Sequence, residues 1–446
     1  ALDPRDSVID AGGLALAPGF IDTHSHHDRN LAENRGMLAV VSQGVTTIIV
    51  GQDGGSRLPL ARFFGDLEAT PVAANVASYV GHGTVRDSVM GEDFKRAATP
   101  AEVERMKALV AQEMGAGALG LSSGLEYDPG IYSDRSEVVA LAKVAADSGG
   151  RYISHIRSED RDFWSAVDEI IRIGAANRMP VQISHGKLAM RSLWGQAPRL
   201  IAKLDSARAA GVDITMDVYP YQYWQSTLTV LYPQRDFSNR ATTEFVLREV
   251  AAPEGLLLSR FEPQPEYAGK TVAEISKMRN SDPATTLEWL IATSEAARKS
   301  GGRGGQGVIG TSMDERDIAQ LIAWPHSNIC SDGELQGRHP RGFGSFPRVL
   351  GRYVREQKVT TLPDAVRRMT SLAAAHVGLR ERGTIAPGYY ADLVLFDPDR
   401  ILDRATPADP QLTADGISSV WVNGRPVYAN MRTTGNYPGR VLRRGR

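Results

Sequence analysis

Short runs of β-branched and aliphatic residues alternate along the chain with Ala-, Glu- and Arg-rich stretches whose apolar positions recur at helical spacing. Eight runs read as buried strands: Ala17 to Asp22, Thr46 to Val50, Val72 to Val80, Ala118 to Leu121, Tyr152 to Ser154, Val181 to Ser184, Asp213 to Asp217 and Ser327 to Cys330. Between them Pro100 to Gly115, Ser136 to Ser148, Asp162 to Asn177 and Gln196 to Gly211 read as helices. Several have glycine at or just past the end, where a left-handed residue closes a helix cheaply. This is the βα rhythm of a parallel sheet, and eight repeats predict an α/β fold of the (β/α)8 TIM barrel type. A doubly wound open sheet is the competing arrangement. Polar residues of chemical interest follow the strands around the whole series instead of gathering at one switch point, which favours the barrel.

The rhythm breaks twice. About 110 residues separate Asp217 from Ser327, far more than a normal connection, so an insertion with structure of its own is expected at about 225–306. Tyr219 to Trp224 (YPYQYW) leads into it, and Lys299 to Gly307 (KSGGRGGQG) reads as a mobile segment able to serve as a lid over a barrel mouth. Beyond residue 380, GTIAPGYYADLVLFDPD and VWVNGRPVYAN show short alternating strands with Gly and Asn turns. These are too few strands to stand alone and call for pairing from the N-terminal end. The expected organisation is therefore residues 1–16 as the remnant of the N-terminal part of a small β-sandwich, 17–380 as the barrel with its insertion, and 381–446 as the C-terminal part and tail. A longer natural chain is expected to supply the missing strands.

Composition narrows the partners. A formal net charge of -1 with 42% hydrophobic residues gives neither a nucleic-acid footprint nor a polybasic membrane patch, and points to a small-molecule partner. The single cysteine, Cys330, rules out an internal disulfide and a cysteine-based zinc knuckle, and is compatible with a reducing, cytoplasmic compartment, with periplasmic or secreted locations left open. No run approaches the roughly 20 apolar residues of a membrane span. The oligomeric state is not legible.

The first strand ends in Asp22-Thr23-His24-Ser25-His26. Alternate strand residues share a face, so His24 and His26 can present imidazoles side by side, as metal ligands do. Other strands are followed by Asp53 (VGQDGG), His82 (GHG), Glu126 (SSGLEYDPG), His155 (ISHIRSE), His185 (QISHGK), Asp217 (MDVYPY) and Asp332 (CSDG). Any one reads equally well as a loop cap or a satisfied core histidine. Gathered at one barrel mouth, several imidazoles with at least one carboxylate suggest a one- or two-metal hydrolytic centre.

The segments APGFIDTHSHHD, GLSSGLEYDPGIY, ISHIRSE, ISHGK, CSDG, HPRGFGSFPRVLGRYV and GTIAPGYYADLVLFDP, in this order, resemble the N-acyl-D-amino-acid deacylases (D-aminoacylases) of the amidohydrolase superfamily. The resemblance implies a distorted (β/α)8 barrel with a small β-sandwich from both chain ends. It also implies zinc, one or two ions per chain or another divalent metal, and hydrolysis of N-acyl-D-amino acids, dipeptide-like ones included, to a carboxylate and a free D-amino acid. By the same resemblance His155 and His185 hold the tighter metal position, His24 and His26 the weaker one, and Asp332 is the catalytic carboxylate. One departure stands out: the family places a bridging cysteine after the second strand, where this chain has Asp53. A carboxylate can bridge two divalent ions, but hard oxygen in place of soft sulfur shifts metal preference; Glu126 is the alternative bridge. A substrate carboxylate calls for a cation, and Arg341 is the first choice, with Arg338 and Lys187 behind it. Tyr127, Tyr221 and Tyr223 are candidate pocket walls, and His82 a candidate support to the ligands. Three rivals remain: opening of a cyclic amide, against which the lack of a lysine beside Ser122 and Ser123 argues; a deaminase using one metal; and a binding protein silenced by Asp53.

Overall fold

The fold is seen in a computed structural model that describes residues 8–301 and 303–445. After β1 (Ala15–Pro18), which belongs to a separate sheet, the parallel series begins with β2 (Phe20–Asp22), β3 (Val45–Val50) and β4 (Asn75–Ser78). It continues through β5 (Val80–Gly81), β6 (Gly120–Gly124), β7 (Arg151–His155), β8 (Val181–Ile183) and β9 (Ile214–Val218). Only Tyr79 parts β4 from β5, and its N–H bonds to Val50 O while Ser78 O accepts from Leu119, so the two pieces act as one strand. An insertion contributes β10 (Tyr223–Ser226), β11 (Leu256–Phe261) and β12 (Gln306–Thr311) before β13 (Ser327–Ile329) pairs in parallel with β9.

The ring closes through polar contacts in place of a ladder. Thr23 Oγ1 donates to Asn328 Oδ1 at 2.7 Å, Asp332 N to His24 O at 2.9 Å and His26 N to Gly333 O at 2.8 Å, which ties the ends of β2 and β13. The eight strands read from sequence are all present and in the order of a barrel. Helices Pro100–Ala116, Arg135–Asp147, Phe163–Asn177 and Ala197–Ala209 begin and end within two residues of expectation. The first starts at a Thr99/Glu102 capping box, which satisfies orphan N–H groups, and stops at Gly117 with φ of 110°. Met106, Val110 and Met114 on it join the main core. A smaller cluster of Ile49, Ala77, Tyr79, Leu119 and Ile153 fills the barrel, completed by Val377 of helix Ser371–Val377.

The insertion is an antiparallel β10-β12-β11 sheet with helices Arg240–Phe245, Val272–Met278 and Pro283–Lys299. Its sheet spans 223–311, slightly wider than the expected 225–306. Part of the glycine-rich segment makes defined contacts: Gly304 O accepts from Ser294 Oγ at 2.5 Å, Gly305 N donates to Glu262 Oε2 at 2.7 Å, and Gln306 opens β12.

Both chain ends meet in a five-stranded antiparallel sheet ordered β1, β14 (Leu393–Phe396), β15 (Ile417–Val422), β16 (Arg425–Ala429) and β17 (Arg432–Thr433). Ala15 faces Phe396 in its register. The apolar side, with Val394, Phe396, Val420, Val422 and Tyr428, packs into the barrel's core, where the Phe20 and Phe396 ring centroids are 6.2 Å apart. Residues 1–7 of the expected N-terminal remnant lie outside the described residues.

Candidate metal centre and active site

Strand ends bring the distant candidates together. His24 Nε2 is 3.4 Å from Asp53 Oδ1 and 3.6 Å from Asp332 Oδ1; His26 Nε2 is 3.2 Å from Asp53 Oδ2 and 3.3 Å from Asp332 Oδ1. On the other side, His185 Nε2 is 3.4 Å from Asp53 Oδ1 and 3.1 Å from His155 Nδ1. Three ligand sets result among the described residues: Glu126, His155 and Glu159 form one apart from Asp53, and the other two are His24, His26, Asp53 and Asp332, and Asp53, His155 and His185. Asp53 belongs to both of the latter.

The donor set fits a zinc-like ion. Ligands held at about 2.0–2.2 Å in a tetrahedron stand a little over 3 Å apart, the spacing seen here. His24 is completely buried, yet neither ring nitrogen has a hydrogen-bond partner, and Asp53 Oδ1 has none either. Leaving a buried polar atom unmatched costs about 1–3 kcal/mol, and convergent orphans of this kind are what a cation would satisfy. Burial by itself would push the His26 and His185 imidazoles down, but the surrounding carboxylates overcome it and push both up to about 10, the same negative field that would favour a bound cation.

Backbone strain marks the same residues. Asp53, His185 and Asp332 all have positive φ, at 53°, 35° and 48°, a region that costs an L-residue roughly 1–2 kcal/mol. For His185 the conformation is held by Asp217, whose Oδ1 accepts the His185 N–H at 2.5 Å while Gln182 donates to Oδ2 at 2.6 Å.

Asp332 is also bound by Arg341, with Nη1 2.6 Å from Oδ2. Burial alone would raise this carboxyl, but Arg341 and the imidazoles outweigh it and hold it well below the usual carboxylate range. Arg341 opens helix Arg341–Arg348, and its N–H donates to His339 Nδ1 at 3.0 Å, while His339 Nε2 donates to Tyr223 O at 2.9 Å. Lys187 Nζ sits 2.7 Å from Glu159 Oε1, and the same oxygen is 3.1 Å from His185 Nδ1.

Not every expected residue is here. Tyr127 lines the cavity beside the ligands, its ring centroid 4.3 Å from that of His155. Glu126 contacts His155 Nε2 at 2.8 Å, on the side away from His185, which places it beside one ligand instead of between the two sets that share Asp53. Tyr221 is turned away: it is buried, donates to Asp403 at 3.3 Å and lines neither cavity at the centre. His82 lies apart too, 2.8 Å from Glu137, which also binds Arg86. Arg338 is exposed at the rim. Glu159 and His339 were not singled out from sequence; the signals were an acid four residues after His155 and a histidine two before Arg341.

Residues 7–252 and 331–428 match the amidohydrolase family. The chain belongs to that family, in its N-acyl-D-amino-acid deacylase branch. It is 36% identical to N-acyl-D-glutamate deacylase of Alcaligenes xylosoxydans xylosoxydans, covering 99% of this chain and 89% of the relative. It is 35% identical to D-aminoacylase of the same organism, covering 98% and 89%. Among solved structures, N-acyl-D-glutamate deacylase from Bordetella bronchiseptica, complexed with zinc and a phosphonate mimic of the tetrahedral intermediate, superposes with a TM-score of 0.86 at 34% identity, covering 97% of this chain and 90% of that one. A D-hydantoinase matches with a TM-score of 0.57 at 15% identity over 100% of this chain and 92% of that one, a likeness of fold alone. None of the helices of the described residues is long and apolar enough to cross a membrane.

Proposed function

We propose that this protein is a zinc-dependent hydrolase that releases a free D-amino acid and a carboxylate from N-acyl-D-amino acids. The observation that carries this is Asp53: its carboxylate stands in two of the ligand sets, where the family's bridging cysteine is expected. His155, His185 and Asp53 would hold one ion, and His24 and His26, with Asp53 again, a second. Zinc, when bound, supplies the Lewis acidity that polarises an amide carbonyl and makes water acidic enough to attack at neutral pH.

The chain's own groups do the rest. Asp332, kept ionised by Arg341, takes the proton from the attacking water and delivers it to the amine nitrogen, which leaves poorly as an anion. Arg341 has further N–H donors and, with Lys187, lines the cavity beside Asp332, so the two cations receive the substrate's α-carboxylate. Tyr127, packed on His155, walls the cavity and keeps that imidazole oriented. The cyclic-amide alternative gains no support from the strand it would need, because β6 carries Ser122 and Ser123 and no lysine.

Incubating the zinc-loaded protein with paired N-acetyl-D- and N-acetyl-L-amino acids, and following free amino acid, tests this reading. Release from the D series alone is expected. Release from the L series at equal rate, or from neither, would overturn it.

A further inference from the structure

The imidazoles of His155 and His185 meet by different nitrogens. His155 Nδ1 and His185 Nε2 lie 3.1 Å apart, and the same His185 Nε2 is 3.4 Å from Asp53 Oδ1. An ion held by these three residues is therefore reached from His155 through Nδ1. A neutral imidazole that gives one nitrogen to a metal keeps its proton on the other. On His155 that other nitrogen, Nε2, is 2.8 Å from Glu126 Oε2.

The surroundings hold this contact in place. Glu126 is 7% exposed and lines a cavity with His155, His185 and Asp332, where a carboxylate costs free energy unless it finds a donor. Its backbone is tied from two sides. Leu125 N donates to His155 O at 3.1 Å, and Arg235 Nη2, reaching back from the insertion, donates to Glu126 O at 2.9 Å. The same guanidinium stands 2.9 Å from Asp128 Oδ1, so residues 126–128 are clamped beside the ligand.

Glu126, His155 and Glu159 also make up the ligand set that lacks Asp53. The distances favour a hydrogen bond over an ion there. Ligands around one zinc-like ion stand about 3 Å or more apart, whereas 2.8 Å is the length of a direct N–H to oxygen bond. Glu159 completes no such site: it is 3.9 Å from His155, on the Nδ1 edge, and 2.7 Å from the Lys187 ammonium.

Resting on the zinc-dependent reading, we infer that Glu126 is a positioning residue for the metal: it accepts the Nε2 proton of His155 and so fixes the tautomer whose Nδ1 is free to bind. It is no ligand itself. Arg235, by holding the Glu126 backbone, lets the insertion influence how firmly the ion is held. Loss of a carboxylate behind a ligating imidazole loosens the ring and weakens the metal bond.

The test measures zinc affinity by competition with a chromophoric chelator in Glu126→Leu, Glu126→Gln and Arg235→Met, with melting temperature as a check on folding. In Glu126→Leu the dissociation constant of the ion at His155 and His185 should rise by about 10–100-fold, with the number of ions at saturation unchanged. Glu126→Gln keeps a carbonyl oxygen for the Nε2 proton and should recover most of the loss; Arg235→Met should weaken zinc less than Glu126→Leu. Nitrogen-15 histidine spectra of the zinc-loaded, unaltered protein should place the His155 proton on Nε2, a readout that needs no variant. A proton on Nδ1, an unchanged dissociation constant in Glu126→Leu, or one ion fewer at saturation would overturn the inference and leave the deacylase reading standing. Failure of the unaltered protein to take up zinc would sink both.

Discussion

Asp53 and His185 meet across the barrel mouth with Oδ1 3.4 Å from Nε2, each on a backbone residue of positive φ. The chain accepts strain at both ends of this contact to place a carboxylate oxygen between His185 and His24, whose Nε2 is also 3.4 Å away. A shared hard oxygen is thus the pivot of the centre.

Removing it should cost more than the 10–100-fold in metal affinity that loss of an outer partner costs. Asp53→Ala is expected to lose zinc to a chromophoric chelator at concentrations the unaltered protein withstands. Asp53→Cys should retain zinc, since a thiolate is the softer ligand, and hold it more tightly than Asp53→Ala.

Asp332→Asn keeps the shape and removes the base. Its kcat is expected to fall by about 10²–10⁴-fold with zinc still bound, measured by steady-state release alongside elemental analysis.

The pH profile reads the Arg341 contact. Burial pushes the Asp332 carboxyl up and Arg341 pulls it down, so removing the guanidinium lets burial prevail. In Arg341→Met the acid limb of kcat/KM should move to higher pH, together with a rise in KM from the lost α-carboxylate contact.

Glu159 and Lys187 form a buried pair at 2.7 Å. Breaking such a pair from one side leaves an uncompensated charge and costs about 3–5 kcal/mol. Glu159→Gln should therefore lower the urea midpoint strongly, and Glu159→Gln with Lys187→Met should recover part of the loss, as a double-mutant cycle would show.

His376 closes the barrel floor, accepting from Asn328 Nδ2 at 2.8 Å, and burial pushes its imidazole down from 6.5 to about 3. The unfolded chain takes up this proton near 6.5 and the folded one does not, so stability is full above that pH and falls as pH drops toward 3. About 2–3 kcal/mol should be lost by this group between pH 7 and 4.5. His376→Gln, which keeps an acceptor for Asn328, should show a shallower decline in urea midpoints over the same range.

Much of this centre was legible because a barrel turns a one-dimensional pattern into a place. Strands such as Val45–Val50 and Arg151–His155 announce themselves by β-branched and apolar content, and the residue that ends each is delivered to the same mouth. What strand ends do not reveal is direction. Tyr219, Tyr221 and Tyr223 sit in one aromatic run, yet Tyr221 leaves the centre for Asp403, because the bend after β9 decides which way each ring points. His82 opens helix His82–Met90 and finds Glu137 on another helix, a long-range pairing that carries no local signal. Glu159 was hidden for the same reason: its role depends on Lys187 and His185, 28 and 26 positions away in sequence. The glycines near 304 carry no local sign that helix Pro283–Lys299 and Glu262 come close there.

The central claim is that these ligands hold a metal required for D-selective amide hydrolysis, and the most direct measurement is turnover of an N-acetyl-D-amino acid by chelator-stripped protein as zinc is added back. The account predicts no release from stripped protein, recovery as zinc is added, and no recovery in Asp332→Asn at the same zinc content. Undiminished release by the stripped protein, or by Asp332→Asn, would contradict it.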